Sequence, residues 1–174
     1  MSKKLKVYCD TNTLPGNIGD PDELAALERL ACHEGIELVC SHLGAHEASN
    51  TKSVQKRNVL VAEHNTRRCV EKDEKLLGFN TQTDWRGGFI CSPLISDVQD
   101  ESIRAELIDQ GLEPRDAEHV TQAVCNKCDV FLTRDQETII EPHRTWLEER
   151  FRPMKIFLPM ELVTFIDAVG SGSV

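Results

Sequence analysis

Long apolar runs are missing from this chain. None approaches the ~18 residues a membrane helix needs, so the sequence predicts no membrane partner. The basic start, Met1-Ser2-Lys3-Lys4-Leu5-Lys6, is followed by no apolar stretch of the secretory kind, which predicts a cytoplasmic protein. Positive charge is in deficit: 20 Lys and Arg against 29 Asp and Glu leave a net charge of −9. That balance excludes a protein that coats nucleic acid by bulk charge. Internal repeats are absent, and so is any linker before the closing Gly170-Ser171-Gly172-Ser173-Val174. The expectation is a single domain over residues 1–169 and a flexible tail over 170–174. The seven cysteines are odd in number and scattered. They fit a reducing compartment and small buried side chains rather than a disulfide framework. A second CxxC is also lacking, so Cys125-Asn126-Lys127-Cys128 reads as packing at a helix end rather than as a zinc site.

What is present has the order of an α/β protein. Lys4 to Cys9 reads as a strand stopped by Asp10-Thr11-Asn12. Asp20 is placed to cap a helix with Pro21 at its first position, and Leu24, Leu27, Leu30 and Ala31 form its apolar stripe. Ile36 to Cys40 is a second strand, after which Ser41 caps a helix carrying Glu47. Asn50 to Leu77 reads as a polar helix, and Gly78 to Pro93, with Trp85, as an irregular excursion. Helices follow over Asp97–Gln110 and from Glu113-Pro114-Arg115-Asp116 to about Lys127. Asp129 to Thr133 is a third strand, a helix lies near Arg144 to Phe151, and Lys155 to Leu158 is a fourth strand before a short final helix. Strands alternating with helices predict a three-layer α/β/α sandwich, Rossmann-like, with a central, mainly parallel sheet.

Four acids occupy matching local settings. Asp10 follows the first strand, Glu47 lies in the helix after the second, Asp116 opens the helix before the third, and Asp135 follows the third. Parallel strands bring their carboxyl ends to one edge, the usual ligand-binding edge of such sheets. Clustered carboxylates repel one another unless a cation neutralises them. Oxygen ligands of this kind suit Mg²⁺ or Mn²⁺. The competing reading is that these are ordinary caps and surface acids, Asp116 above all, since an acid in a first helical turn already has a structural role.

The motifs together resemble the PIN-domain family of metal-dependent ribonucleases. The matching pieces are Val7-Tyr8-Cys9-Asp10-Thr11-Asn12, Ser41 with Glu47 six residues on, the helix-opening Asp116-Ala117-Glu118-His119-Val120, and the strand Asp129 to Thr133 ending Thr133-Arg134-Asp135. The resemblance covers roughly Lys4 to Val169, with the stretch from about 50 to 113 a divergent, mainly helical excursion. It implies an acidic pocket in which Asp10, Glu47, Asp116 and Asp135 hold Mg²⁺ or Mn²⁺ and hydrolyse RNA. It implies Asn12 and Thr133 as residues that orient those acids, and as partners a small antitoxin or regulatory protein and a second copy of the chain. Two alternatives stand beside it: a non-catalytic binding or scaffold module, and a flap-type nuclease or phosphatase relative that uses a similar acidic edge, the nuclease on structured DNA.

The charge is also uneven. Lys52, Lys56, Arg57, Arg67, Arg68, Lys72 and Lys75 outnumber the acids between Thr51 and Lys75. Lys56, Arg57, Arg67 and Arg68, with Arg134, are the candidate phosphate contacts. A solvated helix face explains the same charges. His42, His46, His64, His119 and His143 read first as surface or packed histidines, with His46 and His119 placed nearest the acids. Trp85 is either a base-stacking residue or a core plug.

Overall fold

The structure, a computed structural model, describes residues 4–70, 82–83, 89–90 and 100–171. Its centre is a five-stranded sheet in the order β3-β2-β1-β6-β7, parallel throughout. The strands are β1 (Leu5–Cys9), β2 (Ile36–Cys40), β3 (Arg68–Cys69), β6 (Val130–Leu132) and β7 (Lys155–Phe157). A separate antiparallel pair, β4 (Gln82–Thr83) and β5 (Phe89–Ile90), lies between β3 and β6 in the chain. The helices are α1 (Pro21–Cys32), α2 (His42–Ser49), α3 (Val54–Asn65), α4 (Glu101–Asp109), α5 (Pro114–Cys125), α6 (Glu141–Arg150) and α7 (Pro159–Ser171). The molecule is an α/β/α sandwich, as the alternation of strands and helices predicts.

Alternation along the strands decides which side chains meet which helices. Val7 and Cys9 point to one face with Val130 and Leu132, where they pack on Leu27 and Leu30 of α1 and Leu162 of α7. Tyr8, Phe131 and Ile156 point to the other, against Leu107 of α4, Ala117, Val120 and Ala123 of α5, and Leu147 of α6. Tyr8 and Phe131 are paired in register, and their rings stack with centroids 5.6 Å apart. A smaller cluster of Leu14, Ala48 and Leu60 joins α2 to α3.

Strand order fixes where a ligand can reach. The chain steps outward from β1 to β2 and β3, then returns to the far side of β1 for β6 and β7. Such a reversal opens a crevice at the carboxyl ends of the two strands that flank it, here β1 and β6. Asp10 follows β1 and Asp135 follows β6, so both acids stand at that crevice. At the opposite end of the sheet the Asp129 carboxylate accepts from the Lys6 amide at 2.9 Å, a strand-start role.

Local chemistry sets the helix ends. Asp20 accepts from the Asp22 amide at 2.9 Å with Pro21 behind it, and Asp100 accepts from the Ser102 and Ile103 amides. Gly111, at φ +98°, terminates the turn after α4 in a conformation that favours glycine. Ser41 stands at the N-cap of α2 but does not bond its amides, because its Oγ accepts from Tyr8 Oη at 2.6 Å.

Several boundaries differ from the sequence reading. The helix expected to run from Asn50 to Leu77 stops at Asn65, and Arg68 and Cys69 form the edge strand β3 instead. Residues 71–81, most of the Gly78–Pro93 excursion including Trp85, and Asp97 lie outside the described residues. A π-helical turn at Gln136–Ile140, which no apolar period announces, leads into α6. The final helix is long rather than short and takes in Gly170 and Ser171, which read as tail in the sequence. Cys125 ends α5, and Cys128 is buried in the core with a thiol that burial pushes up to about 12, so that pair is packing.

Phe131 is fully buried between Tyr8 and the α5 layer. Phe131→Ala is expected to cost about 3–5 kcal/mol, read as a fall in the urea midpoint at unchanged slope.

Candidate metal centre at the sheet edge

The site is built outward from Asp10, which is only 7% exposed. Its Oδ2 accepts from Thr133 Oγ1 at 2.8 Å and from Asn12 Nδ2 at 2.7 Å. Asn12 also reaches Thr133 Oγ1 at 3.0 Å and accepts from the Arg134 amide at 3.0 Å. Thr133 Oγ1 in turn accepts from the Asp135 amide at 3.1 Å. The two strand ends are therefore sewn together by side chains, and Asn12 and Thr133 orient Asp10.

Asp135 and Asp116 are linked through one residue. Asp135 Oδ1 accepts from the Thr138 amide at 2.8 Å, capping the π-helical turn, and Thr138 Oγ1 donates to Asp116 Oδ2 at 3.1 Å. Asp116 sits in the first turn of α5. One helical turn later His119 enters the sheet face.

His119 joins Glu47 to the core. Tyr8 Oη donates to Ser41 Oγ and takes His119 Nδ1 at 2.8 Å, while His119 Nε2 faces Glu47 Oε2 at 3.3 Å. Both ring nitrogens thus face oxygens, and a protonated ring would donate to each. Burial opposes that charge. The bond to Glu47 and the charges of Asp10, Glu47 and Asp116 outweigh burial and raise His119 above its ordinary value. Burial also works against the Glu47 charge, yet His119, Thr11 and Arg115 hold its carboxyl down at about 2.

The remaining acids feel the opposite pressure. Burial pushes Asp10 up; His119 and the Thr133 hydroxyl oppose this without cancelling it, and Glu47 adds to it. Burial and the negative charges of Asp10, Asp135 and Glu113 raise Asp116 to about 6, against the Thr138 bond. The acids of the sequence reading are thus joined in a chain: Glu47 acts on Asp10, and Asp10 and Asp135 act on Asp116.

Carboxylate oxygens are donors of the kind a hard divalent cation takes, and Mg²⁺ keeps several waters beside one or two of them. Among the described residues the group of three ligating side chains whose atoms lie within 4.8 Å of one another is nevertheless not acidic. Thr11 Oγ1 is buried beside Glu47, and its hydroxyl helps to hold that carboxyl down. Gly44 allows that proximity: a Cβ there would lie 3.2 Å from Thr11 Oγ1 and 3.4 Å from the His64 ring.

The basic candidates divide. Arg134 turns inward to Glu23 and to the carbonyls of Asn12 and Asn17. Arg67 lies beyond α3, half-buried, and donates to the Thr13 carbonyl at 3.2 Å. Arg68, on β3, pairs with Glu37. Arg67 and Arg68 therefore do not share a helix face with Lys56 and Arg57, which lie on α3. Arg115 was not singled out in the sequence; its side chain is 76% exposed and 3.8 Å from Glu47, a cation at the rim of the acids. Tyr8 was missed too. Its signal was its place as the chain's single tyrosine on a buried strand, where a phenol needs a partner.

No protein-family model matches the chain, and no curated protein matches it in sequence.

Asp116 binds its proton more tightly folded than unfolded. Its stabilising share is complete below the ordinary carboxylate range and is lost as pH rises through about 6. In metal-free protein, Asp116→Asn, which keeps an acceptor for Thr138, is expected to melt higher than wild type above that pH and no higher at pH ~4. Melting curves in chelator across this range check it.

Proposed function

We propose that the chain is a Mg²⁺- or Mn²⁺-dependent nuclease acting on RNA at the edge formed by Asp10, Glu47, Asp116 and Asp135. The observation that carries the reading is the buried Asp10 carboxylate at the β1/β6 crevice, oriented by Asn12 and Thr133 and coupled to Glu47 and Asp116. The choice of RNA rests on the resemblance of the four motifs to the PIN-domain family.

Each residue then has a defined part. Asp10, with an oxygen of Asp135, would hold the cation. Asp116, in the first turn of α5, would accept the proton of the attacking water. Glu47, ionised and clamped by His119 and Tyr8, keeps the edge negative without swinging away. Arg115 at the rim, with Lys56 and Arg57 on α3, contacts the phosphate backbone. A bound divalent ion supplies Lewis acidity to the phosphate and its attacking water, and stabilises the leaving oxygen.

A second reading has one observation in its favour: the acids do not converge as tightly as three inner ligands of one ion would. It makes the domain a non-catalytic binding module. Mn²⁺ titration separates the two. The nuclease reading expects Mn²⁺ to raise the melting temperature and to start cleavage of a mixed RNA pool. Asp10→Asn should abolish both, and Asp116→Asn should slow cleavage at least ~100-fold. Wild-type protein that neither responds to Mn²⁺ nor cuts RNA defeats the proposal. Faster cutting of structured DNA run in parallel assigns the edge to a flap-type nuclease. Arg115→Ala is expected to weaken RNA binding at low salt and to reduce the salt slope by ~1.

A further inference from the structure

A second group of ligating side chains lies behind the acidic edge. Cys40 closes β2, Cys69 is its register partner on β3, and His64 lies in the last turn of α3. Their sulfurs and a ring nitrogen all fall within 4.8 Å of one another. We propose that Cys40, Cys69 and His64 form a binding site for a soft, tetrahedral divalent cation of the Zn²⁺ class, which clamps the edge strand β3 and the end of α3 to β2. The site goes beyond the nuclease reading and does not depend on it.

The geometry has three independent parts. The two sulfurs are 3.8 Å apart. Tetrahedral Zn²⁺ with Zn–S bonds of ~2.3 Å sets two thiolates ~3.8 Å apart, so the pair already stands at the edge length of such a site. His64 Nε2 lies 2.9 Å from the Ser41 carbonyl, which only accepts. That bond puts the ring proton on Nε2 and leaves Nδ1 its lone pair, the arrangement by which a carbonyl fixes a metal-binding histidine. His64 is also buried, so the site is shielded from solvent on that side.

The chemistry selects the metal. Two thiols and an imidazole suit Zn²⁺ and disfavour Mg²⁺ or Mn²⁺. Binding releases two thiol protons, and the two thiolates then balance the charge of the ion. A water or one further side chain completes the tetrahedron. The mechanical gain falls on β3, which is two residues long and lies at the sheet edge. Ser41 connects the clamp to the acidic edge, since its carbonyl meets His64 and its hydroxyl meets Tyr8.

The test uses the full chain, reduced and stripped with chelator, titrated with Co²⁺ and then with Zn²⁺. Expected are about one equivalent bound, with sulfur-to-cobalt charge-transfer and tetrahedral d–d absorption that Zn²⁺ bleaches and excess Mn²⁺ does not. Cys69→Ser, a half-buried and nearly isosteric change, should remove the sulfur band and weaken Zn²⁺ at least ~100-fold. His64→Gln should alter the d–d bands, and exposed Cys32→Ser should change nothing. The proposal is overturned if the wild-type protein shows no sulfur-to-cobalt band, if Cys69→Ser binds as wild type does, or if the band is lost in Cys125→Ser. Peptide mapping of the protein as isolated that finds Cys40 and Cys69 joined in a disulfide, without zinc, also overturns it. The wild-type spectrum decides the matter even where a variant fails to fold.

Discussion

One buried oxygen, Tyr8 Oη, sets the geometry on which the site depends. The ring is stacked on Phe131 in the middle of the sheet, and a phenol without partners there would be strongly unfavourable. Its two partners, Ser41 and His119, come from different elements. The first fixes the start of α2; the second fixes how α5 lies across the sheet. Once His119 is held there, Asp116 must stand one turn nearer the crevice, and the far ring nitrogen reaches Glu47 on α2. A polar contact inside the apolar layer thus positions two of the four acids, while the strand ends position the other two.

Charge follows the same architecture. The edge collects carboxylates, and the nearby arginines are mostly spent on structure: Arg134 ties Glu23 to the turns after β1, and Arg67 holds the Thr13 carbonyl. Within the cluster the buried His119 ring faces Glu47, whose bond and charge raise its affinity for a proton. Asp10 and Asp116 are left with their acidity weakened, the condition in which a carboxylate gains most from a divalent ion.

The sandwich was legible because its strands announce themselves by short apolar runs and abrupt polar stops. Val7, Tyr8 and Cys9 before Asp10, and Val130, Phe131 and Leu132 before Thr133, are continuous buried runs of the kind that a parallel sheet covered on both faces requires. Asp10, Asp116 and Asp135 were legible for the same reason, as each follows or opens an element, whereas Glu47 lies within α2. Other features left no local trace. β3 is two residues inside a charged stretch, too short to show a period, and it pairs only because Cys40 and Val39 lie beside it. The π-helical turn matches neither strand nor α-helical spacing. Ser41 reads as a helix cap, and its hydroxyl is diverted by a tyrosine 33 residues away. Cys40, His64 and Cys69 become neighbours only through that unannounced strand. Arg67 looked like a surface cation because the bend that turns it inward lies at the helix end, where sequence patterns are weakest.

The reversal of strand order at β1 divides the working edge into two sequence halves. Asp10 and Glu47 come from the first, Asp116 and Asp135 from the second. The chain leaves the five-stranded sheet at its outermost strand, β3, and re-enters beside the central one after α4 and α5. Between those points α4 and α5 cover one face of the sheet, while among the described residues β4 and β5 pair only with each other. The half of the edge that carries Asp116 and Asp135 is therefore closed by a chain that has left the sheet and come back, as a clasp closes from its free arm.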